Sequence, residues 1–175
     1  MRTSLFVVFL AGCQTQIFSI TLDHDAETLV PAALEPDQPL DTSQLQDLLG
    51  FWIDPSVLAE QGIAEEDLSL LAIRSLTLSA PDDGTDLSFL DSMEAWVTSP
   101  TVGDAQLFEY ADFQPGQTQF TIPVNDVDLT PWIFDPDFRV LTFLEGLAPE
   151  QATTLHAHIE VEVGTSLYGI YDQLN

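Results

Sequence analysis

The chain has very little positive charge. It contains no lysine, and its three basic residues are arginines set against 29 aspartates and glutamates, which gives the 175 residues a formal net charge of -26. A surface of this kind repels phosphate groups, so the composition excludes nucleic acid as a partner. It also excludes attachment to anionic lipid headgroups through a basic patch. Any attachment to a membrane must therefore be covalent or hydrophobic.

Cysteine and long hydrophobic runs are also scarce. The only cysteine is Cys13, so no disulfide can form within the chain. The apolar run before it, Leu5 to Ala11, is much shorter than the roughly 20 residues that a membrane-spanning helix needs. Arg2, this run and the small residues directly before Cys13 follow each other in the order of a secretory signal peptide. The sequence therefore predicts export of the protein.

The four residues that end this segment, Leu10-Ala11-Gly12-Cys13, resemble the lipobox of bacterial lipoproteins. The resemblance implies that residues 1–12 are a cleaved signal peptide and that Cys13, as the first mature residue, carries a diacylglycerol and an acyl group such as palmitate. More than one acyl chain gives stable anchoring to a membrane. The alternative is a buried cysteine in a first strand that begins at Leu5.

The residue after the cysteine bears on the destination. In the lipoprotein family an aspartate at this position often signals retention in the inner membrane, and here the residue is Gln14. The resemblance therefore implies a lipid-anchored protein of the cell envelope, in the outer membrane. The run from Gln61 to Val97 resembles, loosely, acidic bacterial envelope proteins whose role is uncharacterised, which favours the same location.

The mature chain, residues 13–175, has the pattern of one mainly β domain. Short segments with alternating polarity are separated by turns rich in Gly, Pro and Asp, and no βαβ rhythm is present, which predicts an antiparallel β-sandwich of seven to eight strands, Ig-like or jelly-roll-like. Capping residues predict a helical insertion over residues 42–62. A strand is expected over 17–23, followed by a loop or an edge segment over 24–39 that contains three prolines.

Two local features of this pattern are specific enough to test. Residues 68–80 alternate with one parity up to Ile73 and with the other from Leu76 onward, which predicts a β-bulge near Arg74 and Ser75. The residues Gln114 to Gln117 carry Pro and Gly at the positions of a type II turn, which predicts a hairpin between the strands on either side.

The segment from His156 to Glu162 carries the most specific candidate chemistry. Strand alternation places His156, His158, Glu160 and Glu162 on one face, about 7 Å apart along the backbone. His156, His158 and Glu160 are the candidate ligands, because two imidazoles and a carboxylate are zinc or copper ligand types, and His24 is a candidate third imidazole. The alternative is an ordinary solvated strand face.

Calcium is a second candidate ion. Acidic loops occur at Asp82 to Asp86, Asn125 to Asp128 and Asp135 to Asp137, and such loops at the end of a sandwich can supply oxygen ligands. Asp82, Asp83 and Asp86 are the candidate ligands in the first of these loops. None of the loops has the spacing of an EF-hand, and the alternative is a set of solvated turns in which Asp accepts bonds from its own backbone.

Residues for catalysis are not recognisable. The segment Gly164 to Gly169 misses the nucleophile-elbow pattern by one position, and no lysine or glycine-rich phosphate loop is present. Carboxylate pairs are too frequent to single out a glycosidase site. The sequence predicts a protein that is not an enzyme, the alternative being a secreted hydrolase with an unrecognised site.

One aromatic residue is a candidate ligand contact. If Met93, Ala95 and Val97 face the core, alternation directs Trp96 outward. Exposed aromatic residues often mark interfaces. The combined prediction is a non-catalytic envelope lipoprotein that acts as a structural or interaction module for an envelope protein or glycan, with no required cofactor. A divalent-metal-binding lipoprotein that holds zinc, copper or calcium is the alternative.

Overall fold

The computed structural model describes residues 18–41, 48, 58, 63–80 and 86–165. These residues form seven strands, a 3-10 turn at Glu65–Asp67 and a short helix, α1, at Thr130–Ile133. The strands are β1 Phe18–Val30, β2 Leu68–Ser79, β3 Leu90–Ser99, β4 Gly103–Tyr110, β5 Gln119–Ile122, β6 Arg139–Gly146 and β7 Thr153–Thr165.

The strands make two antiparallel sheets. One sheet has four strands in the order β1-β7-β2-β5, and the other has three in the order β4-β3-β6. The apolar faces of both sheets contribute to one continuous core, in which the side chains of Leu78, Met93 and Leu155 have no exposed surface. The predicted antiparallel β-sandwich is confirmed.

The predicted bulge in β2 is confirmed at the expected residues. Ile73 lies opposite Val161 and Ser75 lies opposite Glu160, so Arg74 is an extra residue in the ladder. Because of this extra residue, Leu71 and Ile73 before it and Leu76 and Leu78 after it are all buried. A bulge of this kind lets one strand keep its apolar side chains on a single face across a change of parity.

Of the two alternatives for the segment after Asp23, the loop is wrong over residues 24–30, which are a strand at one end of the described strand order. β1 continues to Val30 and pairs with β7 over 13 residues without interruption. Aspartate and glutamate are poor strand formers, but the alternation of exposed and inward side chains persists through this segment. The long ladder with β7 overrides the local composition, and the strand ends at Val30, directly before Pro31.

The predicted hairpin around Gly116 is also wrong. The turn is present, and Gly116 has a positive φ of 82°, but β4 belongs to the three-stranded sheet and β5 to the four-stranded one. The chain therefore crosses from one sheet to the other at this turn. Ring contacts of Phe113 with Tyr110 and Phe120, at centroid distances of 4.9 and 5.1 Å, line the crossing.

The segment after β1 closes one end of the sandwich. Its backbone bonds to the end of β6 and to the chain after it, from Leu40 N to Gly146 O at 3.0 Å and from Ala33 N to Pro149 O at 2.8 Å. The predicted helical insertion, residues 42–62, lies almost entirely outside the described residues. Leu48 and Leu58 are described, and both are helical and buried. Among the described residues, no helix has the length and apolar character needed to cross a bilayer.

Candidate functional site

The outer face of the four-stranded sheet is polar along β7. Leu155, Ala157 and Ile159 of this strand are almost fully buried, whereas His156 and His158 lie on the opposite face and are partly exposed. The alternation predicted for this strand is therefore confirmed. Its polar side chains form a row on the outside of the sandwich.

Strand β1 brings a second row of charged residues beside the first. In the ladder Glu27 lies opposite His156, Asp25 opposite His158 and Asp23 opposite Glu160. Directly opposed residues in an antiparallel pair direct their side chains to the same face of the sheet. We call the surface formed by these two rows the histidine face; it consists of Asp23, Asp25, Glu27, His156, His158 and Glu160.

His24 does not belong to the histidine face. It lies opposite Ile159, a core residue, so its side chain is on the inner face of the sheet. The structure therefore does not bring His24 together with His156 and His158, which corrects the ligand set expected from the sequence. The physical reason is the strand period of two, which places neighbours along β1 on opposite faces.

The Asp25 carboxylate holds the imidazole of His158. It accepts a hydrogen bond from Nδ1 of His158 at 2.8 Å. This hydrogen bond is the main reason that the pKa of His158 lies above its ordinary value of 6.5, and the charges of Asp25, Asp23 and Glu160 act in the same direction. The Nδ1 of His156 lies 3.9 Å from the Glu27 carboxylate.

We expect Asp25→Asn to lower the pKa of His158. A raised pKa means that the His158 interaction stabilises the fold fully below about pH 6.5 and loses this effect as pH rises through the raised value. The variant should therefore lose stability at pH 5.5 and change little at pH 8.5. An NMR titration of the imidazole protons measures the pKa, and urea unfolding at the two pH values measures the stability.

Glu27→Gln is the matched control for this prediction, because Glu27 faces His156 rather than His158. It should leave the pKa of His158 nearly unchanged. An equal drop in both variants would show that the general acidity of the surface, and not the bond to Asp25, raises the pKa.

Three groups of the histidine face converge at one point. One ligand atom each of Asp23, His158 and Glu160 lies within 4.8 Å of the other two. His156 is not part of this cluster. His158 and Glu160 are predicted from the sequence, whereas Asp23 and Asp25 are not. The alternate positions of Asp23, Asp25 and Glu27 are nevertheless a detectable signal once β1 is continued beyond Asp23.

Arg74 lies beside the histidine face on the same side of the sheet. Its guanidinium donates to Glu162 at 2.5 Å and to Asp126 at 2.7 Å. These two carboxylates raise its pKa further. The bulge positions the arginine between β7 and the loop after β5. Its charge is thus directed to Glu162 rather than to Glu160.

The expected calcium ligands are described only in part. Asp82 and Asp83 lie outside the described residues. The Asp86 carboxylate accepts hydrogen bonds from the hydroxyl and backbone N–H of Ser88 and from the backbone N–H of Gly116 at 2.9 Å, and these bonds lower its pKa. Asp86 therefore ties two turns together.

The other acidic loops show the same use of carboxylates. Asp135 accepts from the hydroxyls of Ser99 and Thr101 and from the backbone of Asp137, and these bonds lower its pKa. Asp128 accepts from the hydroxyl of Thr130 at 2.6 Å. These carboxylates brace loops, as expected if the acidic segments are turns.

Trp96 lies on the outer face of the three-stranded sheet, as its parity predicts. Met93, Ala95 and Val97 are fully buried, and Trp96 is partly exposed. Its indole N–H donates to Glu94 at 3.2 Å. Leu141 lies directly opposite it in the ladder with β6, and its exposed fraction is 42%.

A second exposed residue extends this apolar area. Phe143, next on the same face of β6, is 50% exposed. Trp96, Leu141 and Phe143 together form the aromatic patch. Leu141 and Phe143 are not among the residues predicted from the sequence.

No protein-family model matches the sequence, and a comparison with curated proteins found no match.

Proposed function

We propose that the protein is a lipid-anchored module of the bacterial cell envelope and that it is not an enzyme. Its partners bind one outer face of the sandwich. The observation that carries the proposal is the order of Arg2, an apolar run and Leu10-Ala11-Gly12-Cys13 at the start of the chain. These residues lie outside the described part of the structure. The outer membrane is the proposed destination because Gln14 follows the cysteine.

The charge and the fold support this proposal. Because the whole chain has a formal net charge of -26, its surface is repelled by anionic lipid headgroups, so an acylated cysteine supplies the membrane attachment that the surface does not. The sandwich presents two outer faces. One is the histidine face, and the other carries the aromatic patch, which is the proposed contact surface for an envelope protein or a glycan.

The test is the intact mass of the protein purified from membranes of a bacterium that expresses the full chain. We expect a mass equal to residues 13–175 plus acyl groups. A Cys13→Ala variant should be lost from the membrane fraction, because neither the thioether nor the acylated amino group can form. Crosslinking in the same membranes should give a partner species that Phe143→Asp removes.

One control variant and two contradicting outcomes make the result decisive. Leu34→Asp introduces the same charge at a residue that is 90% exposed and remote in sequence from the patch, and it should keep the crosslinked species. An unmodified full-length mass would contradict the anchor. A crosslinking pattern that is the same in all variants would contradict the proposed contact surface.

A further inference from the structure

We infer that Asp23, His158 and Glu160 bind one divalent transition-metal ion, with Zn²⁺ as the best fit, on the outer face of the four-stranded sheet. This inference goes beyond the proposed envelope role and does not depend on the anchor. It rests on the convergence of three ligand groups from two strands. Asp23 and His158 are 135 residues apart in the sequence, yet their ligand atoms lie close together.

The register of β1 and β7 positions the three groups. Asp23 lies directly opposite Glu160, and His158 is two residues along β7 on the same face. Adjacent strands in a sheet are about 4.8 Å apart, so an aspartate can reach a point between the two β7 side chains. The ladder is continuous over 13 residues, and this fixes the backbone beneath the cluster.

The distances fit a small ion after minor side-chain movement. Zn²⁺ binds nitrogen and oxygen at about 2.1 Å, so two of its ligand atoms are at most about 4.2 Å apart. The three ligand atoms lie within 4.8 Å of one another. To bring the ligand atoms from 4.8 Å to about 4.2 Å apart, each side chain has to move by a few tenths of an ångström. Asp23 is exposed and can make this adjustment by rotation without disturbing the core.

The ligand types select the class of ion. Calcium and magnesium take oxygen ligands, and an imidazole nitrogen does not suit them. One imidazole with two carboxylates is a set that zinc and neighbouring transition metals accept. Three protein ligands leave the fourth tetrahedral position of zinc for water. The site is therefore of the open kind, in contrast to a closed structural site with four protein ligands.

Asp25 completes the arrangement behind the imidazole. Its carboxylate accepts from Nδ1 of His158 at 2.8 Å, which fixes the ring orientation and leaves Nε2 as the nitrogen that can bind an ion with this bond intact. Histidine ligands of metals almost always donate their other ring N–H to a carboxylate, a carbonyl or water. Asp25 is thus a positioning residue rather than a ligand.

The charged groups around the cluster favour a cation. Asp25 and Glu27 of β1 and Glu162 of β7 lie on the same face. Arg74 is the nearby cation, and its guanidinium is bound by Glu162 and Asp126. In the part of the chain that the structure describes, no hydrogen bond engages the carboxylate of Asp23 or Glu160. Both carboxylates can therefore turn to an ion.

The experiment is a calorimetric titration of the full-length protein, stripped with EDTA, with Zn²⁺ at pH 7.5. A background of 0.3 M NaCl and 5 mM MgCl₂, concentrations chosen to screen diffuse binding to the acidic surface, is used throughout. We expect one site with a Kd of roughly 10 µM. His158→Ala and Asp23→Asn should each raise the Kd at least about tenfold.

His156→Ala is the matched control, since His156 is the neighbouring imidazole on the same strand and face but lies outside the cluster. It should change the Kd less than twofold. Long-range ¹H–¹⁵N NMR then reads the ring nitrogens of all three histidines, and Zn²⁺ should shift those of His158 alone. Circular dichroism checks that each variant is folded.

Three results would overturn the inference. The first is wild-type binding weaker than millimolar. The second is a loss in His156→Ala as large as in His158→Ala, which would indicate diffuse binding to the face. The third is an unchanged Kd in Asp23→Asn, because that carboxylate is the ligand contributed by β1. None of these results bears on the lipid anchor.

Discussion

Gly146→Ala should destabilise the protein by about 3 kcal/mol, through a collision of backbone with the new side chain. Gly146 ends β6 with a φ of +157°, and a Cβ added there would lie 2.2 Å from the carbonyl oxygen of Phe89 and 3.0 Å from Cα of Leu90. Real Cβ atoms do not approach backbone atoms so closely, so either the backbone at Gly146 or the backbone at Phe89 and Leu90 has to move.

The surrounding hydrogen bonds oppose this movement. The carbonyl of Gly146 accepts from Leu40 N at 3.0 Å, and the Phe89 carbonyl accepts from Leu147 N at 2.9 Å. A shift of either backbone breaks bonds that hold the end of the sandwich together. The expected loss therefore includes both conformational strain and hydrogen bonds.

Gly103→Ala is the control. Gly103 also has a positive φ, +103°, but a Cβ there would meet no atom within 4 Å. The loss of stability in Gly103→Ala should come only from the positive φ, and should be about 1 to 2 kcal/mol. Urea unfolding of the two variants and the wild type measures the difference. Equal losses would show that the close approach of Phe89 to Gly146 is not a constraint on the fold.

Deletion of Thr77 from β2 should cost about 3 to 5 kcal/mol, whereas deletion of Arg74 from the same strand should cost no more than about 2 kcal/mol. Arg74 is the extra residue of the bulge, since Ile73 and Ser75 lie opposite consecutive residues of β7. Its removal leaves regular alternation from Leu70 to Ser79, in which Leu76 and Leu78 still face the core. The loss is then limited to the partly exposed ion pairs of its side chain.

After removal of Thr77, no arrangement of β2 keeps both Leu76 and Leu78 in the core. It makes Leu76 and Leu78 neighbours, and neighbours in a strand point to opposite faces. The chain can instead absorb the bulge, which directs Ser75 inward and Leu76 outward. Either way a leucine that is now 0% or 1% exposed leaves the core.

Urea unfolding and near-ultraviolet circular dichroism of the two deletion variants test this prediction. The Thr77 deletion should lose most of the tertiary signal under conditions in which the Arg74 deletion keeps it. Arg74→Ala is an additional control that retains the bulge and removes only the side chain. If the Arg74 deletion is as damaging as the Thr77 deletion, the bulge has a structural role beyond the change of parity.

The sequence was sufficient to predict elements whose signal is local. The polarity of β7 alternates without a break, and the change of parity in β2 located the bulge at Arg74 and Ser75. Trp96 followed from the same rule, since its neighbours Ala95 and Val97 are buried. In each case hydrophobic alternation over one strand contains the whole prediction.

Features that depend on which strands are neighbours could not be predicted in this way. The role of Asp23 at the histidine face follows from the register of β1 with β7, two strands at opposite ends of the described chain. The same register places His24 on the inner face. The crossing near Gly116 has a good turn sequence, but nothing local indicates that the next strand joins the other sheet. These features are set by long-range pairing.

The long ladder of β1 has a consequence for association between copies of the chain. β1 pairs only with β7 among the described strands, so within the described part of the chain its other side is a sheet edge 13 residues long. Such an edge can recruit the same edge of another molecule and begin aggregation. Asp23, Asp25 and Glu27 place acidic side chains at alternate positions of β1. An antiparallel pair of β1 strands centred on Asp25 would place Asp25 opposite Asp25 and Asp23 opposite Glu27, so that like charges repel. The acidic row therefore opposes edge-to-edge pairing between copies of the chain.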